Sequence, residues 1–419
     1  MYQIRRQIIL TYDLIVIGSG AAGMMAAITA KTNGNNVLLL EQQKKIAPKL
    51  KATGGGRCNL TNTLNNDEFI SHFGKNGRFM SKALEEFDYK KLTAFMKNIG
   101  VDTHAPDGFR IFPTSHSSQT IIDALLRHMI NIGIEIKCNE KAIKVLEENK
   151  VIKAVETING IYSCKNLLIA SGAKGYENLG ATADGYKFAS SLGHKVTSLY
   201  PAMMPLFTKD TWVEHCRADT VAKVNMSVNI KKYKKLKAIG DLIFTKNGIR
   251  GPVVLDFARE ITPLFDKYDE IPIIMNLIKG KNEDELIRFL KEQSSLNPTL
   301  TVKEHLEKIL AKSIIIQLAK LVDIDIDVSY KKLNGSKKAE FIKTLCNTPL
   351  TISGHDGFRL AMITRGGISL KEIDSNTMQS KLINGLYFAG EIVDIDGPCG
   401  GYNLQWAFSS GNLAGMLLK

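Results

Sequence analysis

An α/β fold is predicted by three features of this 419-residue sequence. The N-terminus reads as strand, glycine-rich turn, helix and second strand; a strand running into glycine recurs near the C-terminus; the stretch between them carries neither signal. The opening strand is Asp13 to Ile17, followed by Gly18-Ser19-Gly20-Ala21-Ala22-Gly23, a small-residue helix from about Ala21 to Thr32, and a strand Asn36 to Leu40 that ends in Glu41. Each part has a physical task. Gly18 permits a tight turn, Gly20 lets backbone approach a pyrophosphate, and Gly23 lets helix and strand pack closely. The helix start, with Ala21 and Ala22, offers free N–H groups and a partial positive charge to phosphates. Glu41, with Gln42 beside it, lies where a carboxylate accepts hydrogen bonds from both hydroxyls of an adenosine ribose. The pattern predicts dinucleotide binding.

Composition bounds the rest. At roughly 150 residues per domain the length suggests two to three domains, and 44% hydrophobic with 23% charged residues excludes disorder and rods. The net charge of +13 favours a polyanionic partner. Six cysteines are scattered without metal spacing or a redox pair, which predicts reduced thiols, a cytoplasmic location and no metal. The uncharged stretch Leu14 to Ala30 nearly reaches the length of a membrane span, but Gly18, Gly20 and Gly23 break it, so no membrane segment is expected. Met1 to Thr11 lacks signal-peptide anatomy and reads as a short disordered or edge-strand extension.

Three later segments favour FAD over NAD. Lys49 to Asn62 contains Gly54, Gly55, Gly56, Arg57, Cys58 and Asn59, a glycine-rich polar loop soon after the ribose acid. Leu167 to Gly172 is a buried-type strand whose end, Ala170-Ser171-Gly172, suits passage beneath a nucleotide. Gly385 to Glu391 is a second such strand, running into Gly390, and is followed by Asp396, Gly400-Gly401-Tyr402-Asn403 and a helix to about Leu418. A cofactor gripped by both ends of the chain is extended, as FAD is. Glu391 is the candidate for its ribityl chain, with Asp396 as the competing carboxylate, and the last helix start would stabilise negative charge on the reduced ring. The residues expected to hold the cofactor are Gly18, Gly20, Ala21, Ala22, Gly23, Glu41 and Gln42, then Lys49, Gly55, Gly56, Arg57, Cys58 and Asn59, then Ala142, Ala170, Ser171 and Gly172, and finally Gly390, Glu391, Asp396, Gly400, Gly401, Tyr402 and Asn403.

These blocks resemble the BaiN/RdsA (YhiN-like) family of NAD(P)/FAD-dependent oxidoreductases. The resemblance runs from Tyr12 to Lys419 and rests on Thr53 to Asn59 with Thr61-Asn62, Gly240 to Thr245 leading to Gly251-Pro252, Thr364 to Ile368, and Thr377 to Gln405. It implies a discontinuous Rossmann-type FAD-binding domain with an inserted β-rich module and helical subdomain. The residues agree with that plan. Residues 1–197 and the end of 351–419 carry the nucleotide signals; 198–280 holds short β-type runs such as Val221 to Ile230 and Asp241 to Thr245; 281–350 shows helical spacing; about 351–370 is expected to return to the β-rich module. Ser294 to Thr301 reads as a loop between helices.

The resemblance also implies NAD(P)H as a transient electron donor, and the absence of a second glycine-rich fingerprint suits a visitor better than a resident. It implies two acceptor classes: a uridine of 23S ribosomal RNA, and a steroid-like small molecule reduced at a ring double bond. Lys231 to Lys237, with Lys44, Lys45, Lys49 and Lys51, favours RNA, although a solvated face gives the same pattern. A flavin-containing RNA-binding or redox-sensing protein that does not turn over is a further alternative. Cys58 is the candidate catalytic thiol or proton donor, against the plainer reading of a small packed residue. Arg57, Arg365 and Tyr402 are candidates to line a substrate cavity, while His104, His116 and His355 read as surface or supporting groups. An oligomeric state is not legible.

Overall fold

The computed structural model describes residues 8–333 and 335–418. Two compact units emerge: one runs to Tyr200 and resumes at Ile363, the other is Pro201–Met362.

The first unit is built on a seven-stranded sheet. Glu135–Lys137, Val37–Leu40, Ile8–Ile17 and Ile161–Ile169 lie side by side and parallel. Leu386–Phe388 joins in parallel beside Leu167–Ile169, while Val151–Thr157 and Ala142–Glu148 extend the sheet antiparallel. Leu14–Val16, Val37–Leu40 and Leu167–Ile169 are buried throughout, which is why they read as continuous apolar runs rather than alternating ones. Of the extension at Met1 to Thr11, residues 1–7 lie outside those described, and Ile8–Thr11 lengthens the first strand. Its register with Ile161–Ile169 starts at Ile8, ahead of the stretch matched to Val37–Leu40, which starts at Leu14.

Helix Ala21–Thr32 has the expected bounds and is buried on most of its surface. Its small side chains admit the C-terminal helix Tyr402–Gly415 to near backbone contact: a Cβ on Gly411 would stand 2.3 Å from the Ala22 carbonyl oxygen, and one on Gly415 would stand 2.4 Å from that of Ala26. The first and last parts of the chain thus share one core.

The second unit is a closed barrel. Its strand order is Leu206–Thr208, Gly248–Arg250, Lys237–Phe244, Thr220–Val228, Ile271–Asn276 and Thr348–His355. Helices Glu283–Leu296, Val302–Leu306, Lys312–Leu321 and Gly335–Cys346 fill the segment that showed helical spacing. Leu286, Leu306, Ile314 and Phe341 join Val224, Met226, Ile273 and Ile352 in a single cluster, so barrel and helices are one folding unit. The chain returns to the barrel at Thr348, where burial begins to alternate along the strand. The loop expected over Ser294 to Thr301 is shorter, because the helix persists to Leu296 and Thr301 caps the next one in a reciprocal pair with Glu304. The lysine-rich run forms the turn between Thr220–Val228 and Lys237–Phe244, with Lys231, Lys232, Lys234, Lys235 and Lys237 all exposed.

Candidate cofactor-binding site

The glycine turn sits where the first strand meets its helix. Gly18 has φ +103°, and a Cβ there would stand 2.6 Å from the Ala170 carbonyl oxygen, so the turn and the Ala170-Ser171-Gly172 segment approach as only glycine permits. Gly23 serves helix packing, since its Cβ would fall 1.9 Å from the Gly18 oxygen. Gly20, the residue before the helix, is different. Nothing lies within 4 Å of the place its Cβ would take, and the same holds for Gly55, Gly56 and Gly172. These are open stretches of backbone that a ligand can approach.

Glu41 is buried beside the turn. Its Oε2 accepts from Ser19 N (3.1 Å) and from the Ser19 hydroxyl, and its Oε1 accepts from Gln43 N at 2.8 Å. The turn therefore holds the acid in place, and an ionised carboxylate has further lone-pair sites for a ribose hydroxyl. Gln42 donates to the Gly180 carbonyl at 2.7 Å. Ala142 opens the strand Ala142–Glu148, close by in the chain to Glu140, whose N–H donates to the Glu41 carbonyl at 2.9 Å. The nucleotide-end residues are thus gathered together.

The opposite end is assembled from both chain termini. Lys49 Nζ lies 2.6 Å from Glu391 Oε2, and Glu391 Oε1 accepts from Thr364 N at 2.9 Å. Gly390 donates to Ser410 Oγ and packs on the first turn of helix Ala21–Thr32, where its Cβ would stand 2.9 Å from that of Ala22. Asn59 donates to the Thr61 carbonyl and accepts from Gly401 N, both at 3.0 Å, while Asn62 donates to the Gly400 carbonyl at 2.9 Å. Gly401 has φ +85° and its Cβ would fall 2.5 Å from Thr61 backbone, which fixes the last helix start against the glycine-rich loop. Asn403 braces the turn before it, accepting from Gly397 N (2.8 Å) and donating to the Gly397 carbonyl (2.9 Å).

The remaining expected residues differ in burial. Cys58 is 0% exposed, and burial pushes its thiol up to about 12 against the opposing Thr53 contact, so it is neutral across the physiological range. Its thiol is therefore held protonated inside the loop, the form that a proton donor has and a thiolate nucleophile lacks. Tyr402 is buried among Phe69, Phe73, His72 and Phe109. Arg57 is exposed and rests against Phe112. Asp396 is half-buried near Asp394, and Glu391 is the carboxylate locked into the assembled end.

The structure adds groups that the motifs did not single out. Ser171 Oγ and Tyr186 OH are buried with no hydrogen-bond partner among the described residues. Burial raises Tyr186 well above its usual range, helped by Glu391 and Asp394. Burial likewise raises Asp394, with Asp396 adding to it while Thr197, Lys75 and Arg365 oppose. Asp394 was legible only as a neighbour of Asp396; nothing local marked Tyr186. An orphaned Ser171 hydroxyl beside the open backbone of Gly172, a second orphaned hydroxyl on Tyr186, and the fixed carboxylates of Glu41 and Glu391 fit a dinucleotide cofactor rich in hydroxyl and phosphate groups. Among the described residues there is no cluster of side chains able to hold a metal ion, and no helix is long and apolar enough to cross a membrane.

Comparison with known proteins agrees with this plan. The 3-dehydro-bile acid delta(4,6)-reductase of Clostridium scindens is 29% identical over 96% of this chain and 97% of its own. The ribosomal RNA dihydrouridine synthase of Escherichia coli strain K12 is 30% identical over 95% of this chain and 96% of its own. The 3-ketosteroid delta1-dehydrogenase of Sterolibacterium denitrificans, solved with 1,4-androstadiene-3,17-dione, shares the fold with a TM-score of 0.54 at 12% identity, over 97% of this chain and 99% of that one. The family described as HI0933-like protein Rossmann domain matches residues 12–417, and this chain belongs to it.

Proposed function

We propose that the protein is an FAD-dependent oxidoreductase that uses hydride from NAD(P)H to reduce a carbon–carbon double bond, and that its acceptor is a uridine of 23S ribosomal RNA. The observation that carries the flavoenzyme reading is the glycine cradle. Gly20, Gly55, Gly56 and Gly172 offer open backbone, Glu41 is fixed beside the first turn, and Lys49 and Glu391 are paired. Gly18 to Gly23, Glu41 and Gln42 would hold the adenosine and pyrophosphate; Ser171 and Glu391 would take hydroxyls of the linking chain; Gly400 to Asn403 would present helix N–H groups to the ring. Bound FAD supplies a two-electron carrier that takes a hydride and returns it to an acceptor. The overall change is balanced: NAD(P)H and a proton convert the uridine C5=C6 bond to dihydrouridine, leaving NAD(P)⁺.

RNA as acceptor is supported by the surplus of 55 lysines and arginines over 42 aspartates and glutamates, by the exposed lysine turn of the barrel, and by the dihydrouridine synthase relative. A second reading, reduction of a steroid-like molecule, is favoured by the bile acid reductase relative at nearly the same identity. Mass spectrometry of ribosomal RNA from cells with and without the gene separates them. Loss of a uridine carrying two extra hydrogens supports the RNA reading, whereas unchanged RNA favours the small molecule. Purified protein that is yellow yet is not bleached by NADH or NADPH under anaerobic mixing would instead fit a non-catalytic flavin protein.

A further inference from the structure

Beside the glycine-rich loop, two arginines stand on one aromatic ring. The guanidinium carbon of Arg57 lies 5.6 Å from the centroid of Phe112, and that of Arg110 lies 6.0 Å from it. Phe112 itself is only 5% exposed, so it is a fixed plate; both arginines are exposed. Contact with a fixed ring restrains the planar forks and reduces the side-chain entropy that a phosphate contact would otherwise cost.

Their hydrogen-bonding capacity is largely unused. Arg57 makes one long contact through Nε, 3.3 Å to the Gly54 carbonyl. Arg110 meets Asp107 through Nε as well, at 2.6 Å. In both, the terminal N–H groups have no protein acceptor among the described residues, which leaves their donors available to a ligand. Asp107 neutralises one of the two cations, so the pair keeps a net positive charge.

The plate adjoins the cofactor cradle. A Cβ on Gly54 would lie 3.7 Å from the Phe112 ring, and one on Gly400 would lie 3.3 Å from Phe109, the residue before Arg110. Strand Arg110–Pro113 pairs with Thr61–Asn62, which hold Gly400 and Gly401 through Asn62 and backbone contact. One small sheet therefore carries Arg110 and Phe112 and positions the start of the last helix.

We infer that Arg57 and Arg110, set on Phe112, form a phosphate-binding site at the edge of the cofactor cradle, engaging a phosphate of the molecule that exchanges hydride there. Bidentate guanidinium contacts match phosphate oxygens, and an uncharged steroid would leave the site idle. The inference rests on the flavoenzyme reading above. The phosphate has two possible sources, the backbone of an RNA acceptor and a nicotinamide dinucleotide.

The test uses the flavin-loaded full chain and the variants Arg57→Ala, Arg110→Ala and Arg57→Lys. Bound flavin per chain is measured first, then binding of a uridine-containing oligoribonucleotide across salt concentrations, and separately the rates at which NADPH and NADH bleach the flavin. Arg110→Ala is expected to keep its flavin, and each alanine variant, compared at equal flavin content, to weaken one phosphate ligand about tenfold, with Arg57→Lys recovering part of it. If RNA is the source, oligonucleotide binding weakens and its log–log salt slope falls by roughly 0.7 per phosphate released from the protein, while bleaching is unaffected. If the dinucleotide is the source, bleaching slows and oligonucleotide binding holds. Unchanged behaviour of flavin-loaded variants toward both ligands overturns the site, as does loss of flavin from Arg57→Ala, which would make Arg57 a cofactor ligand. Wild-type protein that binds no flavin defeats the underlying flavoenzyme reading, a distinct outcome.

Discussion

Gly20 and Gly23 are three residues apart in one turn, yet they face opposite tests. A methyl group at Gly23 would collide with the Gly18 carbonyl at 1.9 Å, whereas one at Gly20 meets nothing. Gly23→Ala should therefore destabilise the fold by about 2 kcal/mol or more, seen as a lowered unfolding midpoint. Gly20→Ala keeps an allowed backbone, φ −70°, and should cost about 1 kcal/mol or less as a helix cap change. Its effect is expected on flavin occupancy, because the methyl would stand where a pyrophosphate must approach. Equal flavin content in wild type and Gly20→Ala would count against the cradle. Cys58 gives a second residue-scale prediction. Cys58→Ala removes a small buried group at a cost of about 1 kcal/mol and should leave flavin content and turnover intact. Peptide mapping after alkylation of the folded protein should find the half-buried Cys138 and Cys399 modified well before Cys58. These glycines are legible in the sequence because each task is local. The burial of Cys58 and the orphaned hydroxyls of Ser171 and Tyr186 are not, because they arise from segments far apart in the chain.

Elements whose signals are local are legible with close bounds. Helix Ala21–Thr32 follows from a run of small residues after a glycine turn, and strand Val37–Leu40 from four consecutive apolar residues. The closed barrel was legible only as scattered β-type runs, since Leu206–Thr208 completes its pairing with Thr348–His355, and no short window contains both. Two buried histidines and one half-buried histidine set a pH dependence that is equally non-local. His194 follows helix Asp184–Ser191 and reaches Ser380 Oγ at 2.9 Å; its imidazole is held below the ordinary range by burial, with Glu372 pulling the other way. Burial also lowers His305, with Lys308 adding to it and Glu304 opposing; in His355 burial acts against Asp356. In the unfolded chain these groups titrate at about 6.5, so as pH falls through that value the unfolded state takes up protons first and gains stability over the native one. Stability should be complete above that range and decline below it. The midpoint of denaturant unfolding is therefore expected to be lower on the acid side of that value than on the alkaline side, and His194→Gln should reduce that difference. An unfolding midpoint that rises on acidification would contradict the assignment.

At the scale of the whole molecule, charge and connectivity matter most. The lysine turn of the barrel and the strand start beside it offer five exposed cations. Replacing Lys231, Lys232, Lys234 and Lys235 with alanine should leave the unfolding midpoint within experimental scatter and flavin absorbance unchanged. If the turn follows an RNA backbone, the salt slope of binding to a ribosomal RNA fragment should drop by roughly 0.7 for each phosphate the turn no longer engages. An unaltered slope would assign the turn to solvation alone. The overall plan, a parallel-sheet unit interrupted by a second unit, was readable because nucleotide signals occur at both ends of the sequence and not between them. How Gly411 and Gly415 bring the last helix against Ala22 and Ala26 was not, since glycines in a helix carry no label for the surface they meet. That close approach has a consequence for biosynthesis. As the nascent chain leaves the ribosome, Pro201–Met362 is complete while the sheet still lacks Leu386–Phe388 and the first helix still lacks its cover. The barrel can close during translation, whereas the glycine cradle is complete only once Tyr402–Gly415 has emerged and packed on the first helix.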